Sequence, residues 1–322
     1  MKKLKKLLIL LCPLCLLTGC TSVSKNEQSQ VSGIYFDTVV QIQAWGVDSD
    51  ILEHCKDICQ TYEDKFSTEI PNSEIAQINR AQGQPVTVSD DTIDILKTAL
   101  YYCQLSDGKF DITIAPVSKL WDFNGEHSGT IPDATSISSA LTHVGYQNVV
   151  IDGNTVTLKD SEAQIDLGGI AKGYIADKLK EYLLSQNVNH ALINLGGNVL
   201  AVGNRYNDQP FTIGIQKPFD EQNKAITQLE ITDQSVVSSG NYERYFKKND
   251  IIYHHILDTS TGYPCQNNLY QVTIVSDSSV DGDALSTTCY ALGYEEASKL
   301  IKQLDGIKAI FITEDYQILT VE

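Results

Sequence analysis

Short segments of alternating apolar and polar residues, separated by Gly, Asn and Asp, recur along most of this chain and constrain its fold more than any other feature. Residues 148–166 read as strands around Asp152-Gly153-Asn154, a turn sequence that tolerates the positive φ angles of a tight hairpin. Leu192 to Leu195 and Val199 to Val202 flank Gly196-Gly197 in the same manner, and Val39 to Ala44, Phe211 to Ile215, Ala225 to Ile231, Tyr253 to Leu257 and Val272 to Val275 alternate similarly. Apolar residues three and four apart instead predict helices. Ile51, Leu52, Cys55, Ile58, Cys59 and Tyr62 form one stripe; Ile93, Leu96, Leu100 and Cys103 form another over 89–106, behind the capping candidates Ser89, Asp90 and Asp91. Further helices are expected over 170–185, 283–292 and 295–303. Strands this close in sequence pair antiparallel, so the expected fold is α+β, with mixed, mostly antiparallel sheets and packed helices. With 322 residues, 42% of them hydrophobic, the chain can bury a large core, and no linker-like stretch divides it after about residue 31.

The first 19 residues have a different character. Lys2, Lys3, Lys5 and Lys6 precede the apolar run Leu7 to Leu17, which is shorter than the roughly 20 residues a bilayer-spanning helix needs. This is the layout of an export signal. It ends in Leu17-Thr18-Gly19-Cys20, which resembles a bacterial lipobox; the resemblance implies cleavage before Cys20, lipid chains on that residue and anchoring at the outer face of the bacterial cell membrane. The expected division is a signal peptide over 1–19, the lipidated Cys20 and a polar tether over 20–30, and one folded domain over 31–322. Losing the four signal lysines takes the formal net charge from −17 to −21. No Lys/Arg cluster survives beyond Lys6, which argues against nucleic acid as a partner and requires any anionic ligand to be held locally, by a metal or a helix end. Cys55, Cys59, Cys103, Cys265 and Cys289 make an odd, scattered set rather than a disulfide framework, and packing in the core is expected of them.

Four segments carry residues suited to chemistry. Asp166-Leu167-Gly168-Gly169-Ile170-Ala171-Lys172-Gly173-Tyr174 reads as a strand end, a Gly-Gly turn and a helix start, where free N–H groups, the helix dipole and Lys172 would favour a phosphate; a purely structural glycine turn fits the pattern equally. In Asp281-Gly282-Asp283-Ala284-Leu285-Ser286-Thr287, Asp283 and Thr287 stand one turn apart on a helix, two hard oxygen ligands on one side, although ordinary N-capping also explains the acids. His254-His255-Ile256-Leu257-Asp258 runs from a strand into a Thr/Gly/Pro turn, and adjacent strand residues face opposite ways, so at most one histidine enters a given site. Ser106-Asp107-Gly108-Lys109-Phe110-Asp111-Ile112-Thr113 places an aromatic ring and polar groups just after a helix.

Taken in order, these segments resemble the signature of the FAD:protein FMN transferases, also described as thiamine-biosynthesis lipoproteins. Asn194-Leu195-Gly196-Gly197-Asn198, Ser239-Gly240-Asn241-Tyr242-Glu243-Arg244-Tyr245-Phe246 and Thr261-Gly262-Tyr263-Pro264 complete the match, which covers essentially the whole mature chain. The resemblance implies a bilobal fold with FAD in a cleft between the lobes and its diphosphate beside Mg²⁺. It implies an enzyme that splits FAD, attaches FMN through a phosphodiester bond to Thr or Ser of exported client proteins, and releases AMP. Residue by residue, Gly169, Asp283 and Thr287 correspond to metal ligands. Thr38, Phe66, Lys109, Phe110, Asp111, Asp166, Lys172 and Leu257 correspond to FAD-contacting positions, Thr38 and Phe66 more loosely. His255 and Asp258 are the candidate bases. Thr259 departs from the pattern, standing where relatives usually carry Pro. Tyr242, Tyr245, Phe246 and Tyr253 read either as a cover over the flavin or as packing. Two other functions fit the same residues less closely: an FAD pyrophosphatase yielding FMN and AMP, and a non-enzymatic flavin-binding lipoprotein.

Overall fold

The computed structural model describes residues 27–322 except 124, 126, 127, 221 and 223, so the signal peptide and Cys20 lie outside the described residues. At its centre is an eight-stranded sheet of β1 (Gln28–Tyr35), β2 (Thr38–Trp45), β3 (Ala191–Leu195), β4 (Asn198–Val202), β5 (Ser235–Gly240), β6 (Leu269–Ser276), β7 (Lys308–Thr313) and β8 (Ile318–Val321). Neighbours in space follow the order in sequence, and every pair is antiparallel. The rest of the chain is inserted between these strands. Six helices and the small sheet of Val86–Thr87, Val149–Asp152 and Thr155–Leu158 come between β2 and β3, and the long helix Ser279–Ile301 comes between β6 and β7. The expectation of a mixed, mostly antiparallel α+β fold holds.

Burial follows the pleat. β2 buries Val40, Ile42 and Ala44, β3 buries Ala191, Ile193 and Leu195, and this face packs with the stripe Leu52, Cys55, Cys59, Tyr62 and Phe66 of helix Ser49–Phe66 in one large core. The five cysteines among the described residues lie buried and unbridged, and burial raises the pKa of each thiol, which keeps them unreactive packing groups. Helices Ala171–Ser185 and Ser279–Ile301 cap one another. Asp177 of the first accepts the N–H groups of Ser279 and Val280, each at 2.9 Å, and Asp283 of the second accepts the Gly173 N–H at 2.8 Å. Gly173 sits at their contact: a Cβ there would stand 2.3 Å from the Ser279 carbonyl oxygen, so the crossing needs glycine.

Several elements differ from the sequence expectation. The hairpin strands around Gly153 end at Leu158 instead of continuing to 166, because Lys159 to Asp166 runs as a turn and loop. Strand β1 takes in Gln28 to Gln30, which were expected in the tether. The stretch from Ser238 to Pro264 contains a hairpin, Tyr245–Lys248 with Ile251–His254. Its Phe246 and Tyr253 stack on each other at 5.2 Å, and Tyr253 stacks on the buried Trp121 at 5.7 Å. Tyr242 and Tyr245 pack instead on Phe219. None of the four lines the cleft described below; Phe246 and Tyr253 pack on Trp121, while Tyr245 is 42% exposed.

Candidate active site

A cleft of about 590 Å³ opens where the β1–β2 turn, the end of helix Ser49–Phe66, the 109–111 loop, the 166–172 turn, the 237–259 stretch and helix Ser279–Ile301 converge. That volume suits a small-molecule site. Thr38, Phe66, Lys109, Phe110, Asp111, Asp166, Gly169, Lys172, His255, Leu257, Asp283 and Thr287 all line it. Of the residues expected at the site, Asp258 lies outside the lining and Cys20 outside the described residues.

The 166–172 turn is built by local hydrogen bonds. Asp166 donates its N–H to Ile112 O at 2.7 Å and accepts the Gly168 N–H on Oδ1 at 2.7 Å. A Cβ on Gly169 would stand 3.0 Å from the Phe110 ring and 3.6 Å from Thr287 Oγ1, so the turn packs closely against both residues. The helix end is less open to an anion than its sequence suggests. Ala171 N–H is taken by Leu167 O, Gly173 N–H by Asp283, and the Lys172 ammonium lies 3.3 Å from Gly168 O. Side-chain cations rather than the helix end therefore carry most of the attraction for a phosphate.

Asp283 is 3% exposed and spends Oδ2 on Gly173. Asp283, Thr287 and Gly169 all line the cleft, and Ser239 Oγ stands 3.2 Å from Thr287 Oγ1 and 2.8 Å from Ser286 Oγ. Asp111 is committed to the protein. It accepts from Thr113 N–H and Oγ1–H at 2.8 and 2.6 Å and from Tyr146 N–H at 2.8 Å; burial pushes its pKa up, and those bonds offset part of the rise. Asp258 anchors the turn that follows, accepting from Ser260 and pairing with Lys109 at 3.4 Å. Burial pushes its pKa up, but the Ser260 bonds and Lys109 outweigh this and hold it below the usual carboxylate range. Thr259 donates to Gly108 O at 2.8 Å, so its hydroxyl ties together the two loops that carry Lys109 and Leu257.

The two histidines do face opposite ways. His254 is a core residue bonded to Cys265 O at 3.0 Å and to the Ile256 N–H. His255 lines the cleft, and its Nδ1 is buried without a partner. Burial, then the charges of Arg244, His254 and Lys172, push its pKa down to about 3, so the imidazole is neutral at ordinary pH.

The family model for ApbE matches residues 36–311, the span that supplies all of these lining groups. The chain belongs to the ApbE family. It is 37% identical to an FAD:protein FMN transferase of Klebsiella pneumoniae (strain 342), covering 92% of this chain and 93% of that one. It is 30% identical to an FAD:protein FMN transferase of Treponema pallidum (strain Nichols), covering 96% and 91%. Among solved structures, it resembles the ApbE protein of Thermotoga maritima with a TM-score of 0.84 at 30% identity, covering 92% of this chain and 97% of that one. It resembles the flavin transferase ApbE of Vibrio cholerae with a TM-score of 0.82 at 26% identity, covering 91% and 96%.

The cleft of this ApbE chain also holds residues that sequence reasoning left without a role. Ser239, Glu243 and Arg244 belong to the segment Ser239-Gly240-Asn241-Tyr242-Glu243-Arg244-Tyr245-Phe246, and they, rather than its aromatic residues, line the cleft. Glu243 is open to cleft water yet hemmed in by protein. That desolvation, with the Asp283 charge, outweighs Lys172 and Arg244 and raises its pKa. Alternation from Gly240 and the polar run Glu243-Arg244 were the available signal.

Proposed function

We propose that this ApbE chain transfers FMN from FAD to a hydroxyl of an exported protein, with Mg²⁺ at the corner of Asp283, Thr287 and Gly169. The observation that carries the reading is the charge of the cleft. Asp37, Glu69, Asp111, Asp122, Asp166, Glu243 and Asp283 face it against Lys109, Lys119, Lys172 and Arg244, seven carboxylates to four cations. A diphosphate entering such a lining needs a further cation. The donor corner fits one: a carboxylate, a hydroxyl and a backbone carbonyl are hard oxygens of the kind Mg²⁺ accepts, with phosphate oxygens and water completing its shell. When bound, Mg²⁺ would neutralise charge that develops on the diphosphate.

The protein's own groups do the rest. Lys172 and Arg244 attract the phosphates, and Phe110 and Leu257 offer apolar surface to an aromatic ring system. The neutral His255 is placed to accept the proton of a client hydroxyl as its oxygen bonds to the FMN phosphorus. The anhydride P–O bond then breaks, and the bridging oxygen leaves with AMP. The same site with water as the nucleophile would be a pyrophosphatase. Incubation with FAD and Mg²⁺ is expected to give slow AMP release alone and stoichiometric AMP release once a flavin-accepting client is added, with the client heavier by one FMN minus water. Equal AMP release in both cases, with no flavin on denatured client, would establish hydrolysis instead.

The chain works, in this proposal, from a lipid on Cys20 at the outer face of the cell membrane. The support is the order of the N-terminal features, charged, apolar, then Leu-Thr-Gly-Cys. Cys20→Ala is expected to move the protein out of the membrane fraction and to abolish palmitate labelling; retention and labelling as in wild type would place the anchor elsewhere.

A further inference from the structure

The two most exposed large apolar side chains among the described residues are Ile34, 77% exposed, and Val39, 54% exposed. They are cross-strand partners, and the turn between them, Phe36-Asp37-Thr38, forms part of the cleft wall. Phe36 and Asp37 both hold positive φ, 52° and 55°, a conformation usually left to Gly or Asn, and the Phe36 N–H is pinned to Glu63 at 2.7 Å. The tip is therefore tied to helix Ser49–Phe66 and forms part of the cleft lining. Behind it β1 is the edge of the main sheet, eight residues long, and it pairs with β2 without a bulge. Its sequence, QSQVSGIY, has no charge and no proline, whereas sheet edges are commonly guarded by one or the other. Val39 gives its carbonyl to Gly196, just past the end of β3, so Val39 and Ile34 form a non-hydrogen-bonded pair. By antiparallel alternation Gln30, Ser32 and Ile34 turn their backbone N–H groups outward.

We infer that the β1 edge is the docking strand for the client protein. An extended client segment adds to it by main-chain hydrogen bonds, sets apolar side chains on Ile34 and Val39, and so delivers its Ser or Thr to the cleft at Thr38. The occupant is a client because the edge runs directly into the cleft that a client hydroxyl has to enter. The inference rests on the transferase reading, and the test separates the two.

The test uses the full chain, with the flavin-free form of an envelope protein that carries phosphodiester-linked FMN as client. Ser32→Pro removes an outward N–H without touching the β1–β2 ladder, and Ile34→Lys with Val39→Lys places charge on the apolar pair. Both variants are expected to bind FAD and release AMP in the absence of client as wild type does, while KM for the client rises at least ~10-fold at little-changed kcat, as expected when only binding is lost. Unchanged client KM in both variants overturns the inference. A wild-type chain that runs as a dimer and becomes a monomer on Ser32→Pro also overturns it, since the edge then pairs with a second copy. Failure of the wild-type chain to label any client overturns the transferase reading itself.

Discussion

Asp283→Asn is expected to lower FMN transfer at least ~100-fold while leaving the protein folded, on the scale of losing a group that organises charge in the transition state. The choice of asparagine follows from the structure. One carboxylate oxygen of Asp283 holds the Gly173 N–H at 2.8 Å, at the point where helices Ala171–Ser185 and Ser279–Ile301 cap each other. Alanine would leave that buried N–H unpaired, a loss of about 1–3 kcal/mol, and so would mix a folding defect with a metal defect. Asparagine can still accept the N–H but no longer brings negative charge to the corner of Thr287 and Gly169. The expected pattern is a modest drop in unfolding midpoint, a weakened response to added Mg²⁺ and a collapse in AMP release with client present. Turnover near that of wild type in a folded Asp283→Asn protein would remove Asp283 from the proposed Mg²⁺ site.

Much of this corner was legible in the sequence because helical spacing is a strong local signal. Asp283 and Thr287 do share a helix, and the break anticipated between 292 and 295 falls at Gly293, whose φ of 75° no helix interior tolerates. The second function of Asp283, holding a helix more than a hundred residues away, leaves no local trace. Strand β1 was missed for a related reason: as an edge it buries little, so its sequence lacks an apolar period. Strand β7 fails in the opposite way. Ala309, Ile310, Phe311 and Ile312 are all buried, and a continuous apolar run cannot be told from a buried helix by periodicity. Strand β5 carries Ser235, Ser238 and Ser239, whose hydroxyls find partners only after folding, on Ser279, Thr273 and Ser286. The candidate bases show the same limit. Adjacent histidines on a strand must diverge, which sequence could state, but which one meets the cleft depended on Cys265 capturing His254.

His255→Gln is expected to slow transfer about 10²–10⁴-fold, the usual contribution of a positioned base, while FAD binding persists. Asp258 is the weaker candidate because its carboxylate is already engaged by Ser260 and Lys109 and lies outside the cleft lining. In the ligand-free cleft the His255 pKa lies near 3, so protonation disables it only in strong acid. Burial is the first cause and persists with substrate; the positive charges of Arg244 and Lys172 are the part a ligand can change. A bound diphosphate faces those two cations with negative charge and thereby favours the imidazolium, so the pKa rises in the complex. The sign follows: kcat, which reports the complex, should begin to fall on acidification at a higher pH than kcat/KM, which reports the free enzyme. The Gln variant should show neither limb. If its transfer rate equals that of wild type, or if wild-type kcat and kcat/KM share one acid limb, the base is not His255 and the hydroxyl proton leaves by another route.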